Sequence, residues 1–347
     1  MTKVIEPSKY FDQTKPNKAT KMVGGESSGL LNWEDTRNPQ AYPRYKELLG
    51  NFWTPFEINM TNDTKQYKKL SEVEVTAFRR IIALLAILDS VQSNVIGTVS
   101  EYISDTSYKA ILTILAQQEV IHNHSYSYIL SSVETKENQD LAFEIARTDP
   151  EVYKRNSFII EEYENFRKEP TIDNLVKVVS KFIILEGINF YSGFTFFYHL
   201  ARNQKMVGTS TMISYINRDE LKHIGVAVDI ITDVLEEHEI NFDFNDYVTE
   251  AYKKAAELEI AWSKEVLKDI VEIDLEEVEG YIKFRANKCA NMIGVDTLYE
   301  GFEENPMLWI KAFVEDENTG NNTKTDFFEQ KSRQYVKVSD NNGFDDL

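Results

Sequence analysis

Four long apolar stretches of this 347-residue sequence each enclose an acidic residue, and that combination limits the folds open to the chain. They are FRRIIALLAILDSVQ with Asp89, AILTILAQQEVIH with Glu119, VVSKFIILEGINFYSGFTFF with Glu186, and STMISYINRDELKHIGVAV with Glu220. A helix that is apolar on nearly every side is buried against others, so these four form the centre of a helical bundle. Proline placement agrees: none occurs between Pro55 and Pro150, or between Pro170 and Pro306. Proline breaks helix interiors, and the residues that fill these gaps are good helix formers. The pattern predicts helices over about 71–102, 106–133, 150–167, 172–202, 209–237, 246–270 and 275–292. The fold class is therefore all-α.

Composition narrows the partners and the chemistry. With 38 Lys and Arg against 57 Asp and Glu, the net charge of −19 opposes a nucleic-acid backbone or an anionic membrane surface as partner. The longest aliphatic run, Ile81–Leu88, is too short to cross a bilayer, and the polar N-terminus lacks a signal-peptide core. A cytoplasmic protein is expected. Cys289 is the single cysteine, which excludes an intrachain disulfide, a cysteine zinc cluster and an iron–sulfur site. Any bound metal must be held by carboxylates and by the five histidines.

Two of the embedded acids belong to Glu-x-x-His pairs, Glu119/His122 and Glu220/His223. A three-residue step puts both side chains on one helix face, within reach of one ion. With 36 Glu and 5 His, chance alone gives about 0.5 such pairs, so the pairs by themselves carry little. Their setting carries more, because four buried carboxylates left unpaired are too costly to keep ionised. Two divalent cations neutralise them, and oxygen-rich ligands with one imidazole per ion suit iron or manganese. His124, His199 and His238 lack such a setting. Tyr126 lies one helical turn beyond His122, where reduced metals reacting with oxygen could take one electron from it. A metal-free helical interaction protein leaves the buried acids unexplained. Another dimetal carboxylate oxidase on the same bundle remains open on these residues alone.

The strings LLAILDSVQ, EVIHNHSYSYI, LEGINFYSGF and INRDELKHIG resemble, in order and spacing, the motifs of the small (beta) subunit of class I ribonucleotide reductase. The resemblance runs from about Asn51 to the C-terminus. It implies a ferritin-like bundle, normally a homodimer, holding two manganese or two iron ions per chain. Asp89, Glu119 and His122 would hold one ion; Glu186, Glu220 and His223 would hold the other, with Glu119 and Glu220 bridging. It further implies a stable radical on Tyr126, passed out through Trp53 and Asp219 to a cysteine of the large catalytic subunit. Tyr335, the lone tyrosine of the C-terminal tail, would relay that radical. A chain with one cysteine cannot itself supply the redox cysteines of ribonucleotide reduction, which agrees with a separate catalytic subunit. FYSGF, RANKCANMIG and DFFE are closer to the class Ib branch, which uses manganese and a flavodoxin-like activating protein. The domain expectation is an N-terminal extension over 1–50, the bundle over 51–315, and a docking tail over 316–347.

Overall fold

The computed structural model describes residues 4–313. Tyr335 and all of the expected docking tail lie outside them. The chain forms α1 (Ala41–Gly50), α2 (Thr61–Tyr67), α3 (Glu72–Tyr102), α4 (Thr106–Val133), α5 (Lys136–Thr148), α6 (Pro150–Lys168) and α7 (Ile172–Ile184). A π-helical turn, Leu185–Asn189, then leads into α8 (Tyr191–Arg202), α9 (Val207–Glu237), α10 (Phe244–Leu267) and α11 (Leu275–Met292). Among the described residues, strand-type pairing is confined to two isolated bridges, Val4 with Thr171 and Val23 with Ile103. All seven expected helices form, but the one expected over 172–202 is interrupted at the π turn. Three shorter helices, α1, α2 and α5, were not expected. In α5 only Ala142 is buried, so that helix offers almost no apolar stripe to read.

Side-chain caps set most helix starts. Ser71 and Glu74 form a capping box at α3, Asp105 caps α4, and Asp149 followed by Pro150 opens α6. Thr171, Asp243 and Asp274 cap α7, α10 and α11. Each supplies an oxygen to backbone N–H groups that have no partner within the helix. α1, α2, α8 and α9 start without such a cap, and α9 is the longest of them. Met206 precedes it in a left-handed conformation, φ 52°, and offers no side-chain cap. The Asp63 carboxylate of α2 takes the N–H groups of Gly208 at 3.0 Å and Thr209 at 2.7 Å instead.

α3 and α4 pair along their length, and α9 packs against α4 and α7, so these four enclose the bundle axis. α6, α10 and α11 cover the outer side of the α7–α8 segment. α3 is long and apolar enough by length and composition to span a bilayer, yet 61% of that window is buried in the bundle. The N-terminal segment joins the same core through Ile5, Met22, Val23, Ala41 and Leu48. Arg37 pins it by ion pairs to Asp105, Asp233 and Glu237. Tight packing also shapes the π turn: a Cβ at Gly187 would collide with Cys289 Sγ of α11.

Because α9 depends on a cap from another helix, Asp63→Ala should lower the unfolding free energy by about 1–2 kcal/mol, and Asp63→Asn by less. Urea denaturation followed by circular dichroism measures this; an unchanged midpoint for Asp63→Ala would show that the cap contributes nothing.

Candidate dimetal centre

The four axial elements bring all six expected ligands to one place. α3 supplies Asp89, α4 supplies Glu119 and His122, the π turn supplies Glu186, and α9 supplies Glu220 and His223. All six are completely buried. Their donor atoms fall into two groups, Asp89 with Glu119 and His122, and Glu119 with Glu186, Glu220 and His223. Within each group the atoms lie within 4.8 Å of one another. Glu220 places Oε1 3.1 Å from His122 Nδ1 and Oε2 3.0 Å from His223 Nδ1. Glu119 does the same, with Oε1 3.0 Å from His223 Nδ1 and Oε2 3.7 Å from His122 Nδ1. Both glutamates thus span the two imidazoles, a geometry suited to bridging.

The inner atoms of this cluster have no hydrogen-bond partner: both oxygens of Asp89, Glu119 and Glu220, Glu186 Oε2, and Nδ1 of His122 and His223. Buried polar atoms are rarely left in this state, and here they converge on one another. The outer imidazole nitrogens are satisfied. His122 Nε2 donates to Asp219 Oδ2 at 3.3 Å and His223 Nε2 to Gln118 Oε1 at 3.0 Å. Such outer acceptors fix the tautomer that leaves Nδ1 bare, as in metal-ligating histidines. An all-oxygen-and-imidazole set with bridging carboxylates fits two divalent ions of the iron or manganese kind.

Charge without metal is handled by protons. Burial, then the Glu119 and Glu220 charges, pushes Asp89 well above the usual carboxylate range. Burial, then Glu220 and Glu119, does the same to Glu186. Burial works against protonation of His122, but Glu220, Asp219 and Glu119 outweigh it and hold the imidazole well above its ordinary value. His223 is raised against burial by Glu119, Glu186 and Glu220. Glu220 goes the other way: burial opposes ionisation, yet His122, Glu186 and His223 keep it below the usual range.

Around the cluster, Tyr126 is fully buried, and its hydroxyl has no hydrogen-bond partner. Burial, then the Asp89 charge, raises its phenol well above the ordinary value. Trp53, 3% exposed, donates from Nε1 to Asp219 Oδ2 at 2.7 Å, the oxygen that also accepts from His122. Arg218 holds the backbone carbonyl of Asn51 at 2.9 Å, close to Trp53 in the chain. Gln92 and Gln118 were not expected to matter. Gln92 Nε2 donates to Glu186 Oε1, and Gln118 accepts from His223. A signal existed for Gln92, three residues after Asp89 and so on its helix face. The remaining histidines stand apart: His124 is exposed against Phe56, His199 pairs with Asn203, and His238 bonds the Val23 carbonyl.

Comparison with known proteins places this geometry. Residues 30–306 match the family model described as ribonucleotide reductase, small chain. The chain is 49% identical over 346 residues to a ribonucleoside-diphosphate reductase subunit beta of Halalkalibacterium halodurans, covering 99% of each chain. It superposes with a TM-score of 0.85 on the crystal structure of a putative class I ribonucleotide reductase from Bacillus halodurans. That pair is 46% identical and covers 89% of this chain and all of the other. The R2 subunit of a ribonucleotide reductase from Clostridium botulinum gives a TM-score of 0.87 at 36% identity, covering 90% of this chain and 99% of that one.

The protonated state of the cluster has a measurable consequence. Asp89, Glu186, His122 and His223 all have raised proton affinities, so an incoming cation must displace their protons. Mn(II) or Fe(II) affinity should therefore rise with pH, and binding should release protons. Calorimetry in buffers of different ionisation enthalpy at pH 6 to 8 reads that release directly. Binding with no net proton release would contradict this account of the cluster.

Proposed function

The chain belongs to the ribonucleotide reductase small-chain family, and from that premise we propose how its own residues make and export a radical. It is the radical-generating subunit of a class I ribonucleoside-diphosphate reductase, an oxidoreductase that works with a large catalytic subunit. The observation that carries the residue assignment is the set of buried, unpartnered donor atoms lying beside an unpartnered tyrosine hydroxyl. Asp89, Glu119 and His122 would hold one ion and Glu186, Glu220 and His223 the other, with Glu119 and Glu220 between them. When bound and oxidised by oxygen or a species derived from it, a pair of manganese or iron ions would supply the oxidising equivalent that removes one electron from a phenol.

Tyr126 is the phenol in position. Its raised proton affinity keeps it neutral until it is oxidised, and the hydroxyl proton then has Asp89 as its neighbouring carboxylate. Complete burial keeps solvent reductants from the phenoxyl group. Trp53 offers the way out. Its indole N–H and the His122 N–H share Asp219 Oδ2, so the indole, the carboxylate and the imidazole form one continuous hydrogen-bonded line. On loss of an electron from the indole, Asp219 can take the Nε1 proton. A ferroxidase on this bundle would have no use for that line. Tyr335, which lies outside the described residues, would continue the relay in a tail docked on the large subunit. FYSGF and RANKCANMIG support class Ib loading, with manganese installed by a flavodoxin-like activator and iron as the other fit to the same donors. We infer a cytoplasmic homodimer.

Reconstitution separates these roles. Fe(II) with oxygen, or Mn(II) with an activator, should yield a tyrosyl signal by electron paramagnetic resonance, and Tyr126→Phe should abolish it while metal uptake persists. Persistence of the signal in that variant would move the radical elsewhere. Trp53→Phe and Tyr335→Phe should each form the radical normally, yet reduce ribonucleotides with the large subunit at least about 100-fold more slowly. Wild-type turnover in either would remove that residue from the route.

A further inference from the structure

Of the six donors, only Glu186 stands on irregular backbone, the π turn between α7 and α8. A wide turn leaves carbonyls out of the regular helical ladder, and such turns tend to occur at functional sites. Two of these carbonyls are taken by buried arginines. Arg285 of α11 donates from Nε to Gly187 O at 3.0 Å, and Arg155 of α6 donates from Nη2 to Asn189 O. Arg155 is 2% exposed and is neutralised by Glu259 of α10, which also accepts from Ser192 just past the turn.

The carboxylate itself is gripped from the same side. Glu186 Oε1 accepts from Gln92 Nε2, and Gln92 Oε1 accepts from the Tyr163 hydroxyl at 3.1 Å. Tyr163 belongs to α6, eight residues after Arg155 and on the same helix stripe. An amide has a donor end and an acceptor end, and here both are engaged, the NH₂ by Glu186 and the oxygen by the phenol, so the two partners together fix how Gln92 sits. With the phenol in place, the NH₂ group faces the carboxylate. Without it, the amide loses the bond to its oxygen, and with that one of the two contacts that hold Nε2 on Glu186. Glu186 Oε2, held by nothing else, lies 3.8 Å from His223 Nδ1.

We propose that α6, which contributes no ligand, braces Glu186 for the ion on the His223 side, with Tyr163 and Arg155 as positioning residues. Tyr163 orients Gln92 so that one oxygen of Glu186 is committed to the amide and the other is left for metal. Arg155 holds the backbone that carries it. This rests on the dimetal reading of the site. It makes the two ions unequal in their dependence on α6, because among the described residues the hydrogen bonds of Tyr163 through Gln92, and of Arg155, reach Glu186 or its turn and none reaches Asp89, Glu119 or His122.

Titrating the full-length protein with Mn(II) and following it by electron paramagnetic resonance tests the brace without turnover. A coupled pair suppresses the six-line spectrum of an isolated Mn(II), so the second ion is visible as loss of that spectrum. In Tyr163→Phe the first ion should bind as in wild type and the second about 10–100-fold more weakly, leaving a six-line signal at one bound equivalent. Arg155→Lys, which keeps the cation opposite Glu259, should weaken the same ion. In a Gln92→Leu background, adding Tyr163→Phe should have no further effect, since the phenol acts only through the amide. Unchanged binding of both ions in Tyr163→Phe, equal weakening of both, or additive loss in the double variant would each overturn the brace. If wild type failed to take up two coupled ions, the dimetal reading would fall and the brace with it.

Discussion

Mutual repulsion among four carboxylates buried at one point is the constraint that the rest of this molecule accommodates. Ionised and unpaired, such groups cost several kcal/mol each in a protein interior. The fold answers in two ways. Without metal, the proton affinities of Asp89, Glu186 and both imidazoles are raised, which lessens the charge the interior must hold. With metal, the cations take the place of protons. Both answers require the bundle to deliver the donors from four separate helical elements to within a few ångströms, so helix packing is set by the centre as much as the centre by the packing.

Much of this was legible in the amino-acid sequence, for reasons that are physical. An acid inside IIALLAILD or FIILE must be either paired or functional, and a Glu three residues before a His puts both on one face. The long helices could be read from the absence of proline and from the apolar, helix-forming residues that fill those gaps. Other features were not legible. The π turn has no local signature, since LEGIN reads as ordinary helix. Gln92 and Gln118 are neutral side chains in polar company, and only the folded chain shows which carboxylate or imidazole each one meets. α5 has too little apolar surface to announce itself. The cap that Asp63 gives α9 joins residues far apart in sequence, beyond any local pattern.

The surroundings of the cluster divide by side. Toward α1, the sharing of Asp219 Oδ2 between Trp53 and His122 gives an oxidisable indole a direct hydrogen-bonded link to the centre. Toward α6 and α11, arginines and an amide hold backbone and carboxylate still, and no comparable indole joins that network by a hydrogen bond among the described residues. On the reading proposed above, one side serves electron transfer and the other holds geometry. The N-terminal segment contributes to the first side, because α1 packs on α4 and α9 and leads directly to Trp53.

The five residues from Leu185 to Asn189 also act as a phase shifter for the aromatic helix that follows. Each residue advances a helix by about 100°. A single-codon deletion in this turn could restore regular α spacing, but it would rotate α8 by about that angle relative to α7. Phe190, Phe194 and Phe197, all completely or almost completely buried, would then face new neighbours together. Length polymorphism here should accordingly be far less tolerated than substitution, so the turn behaves as a reading frame for the core.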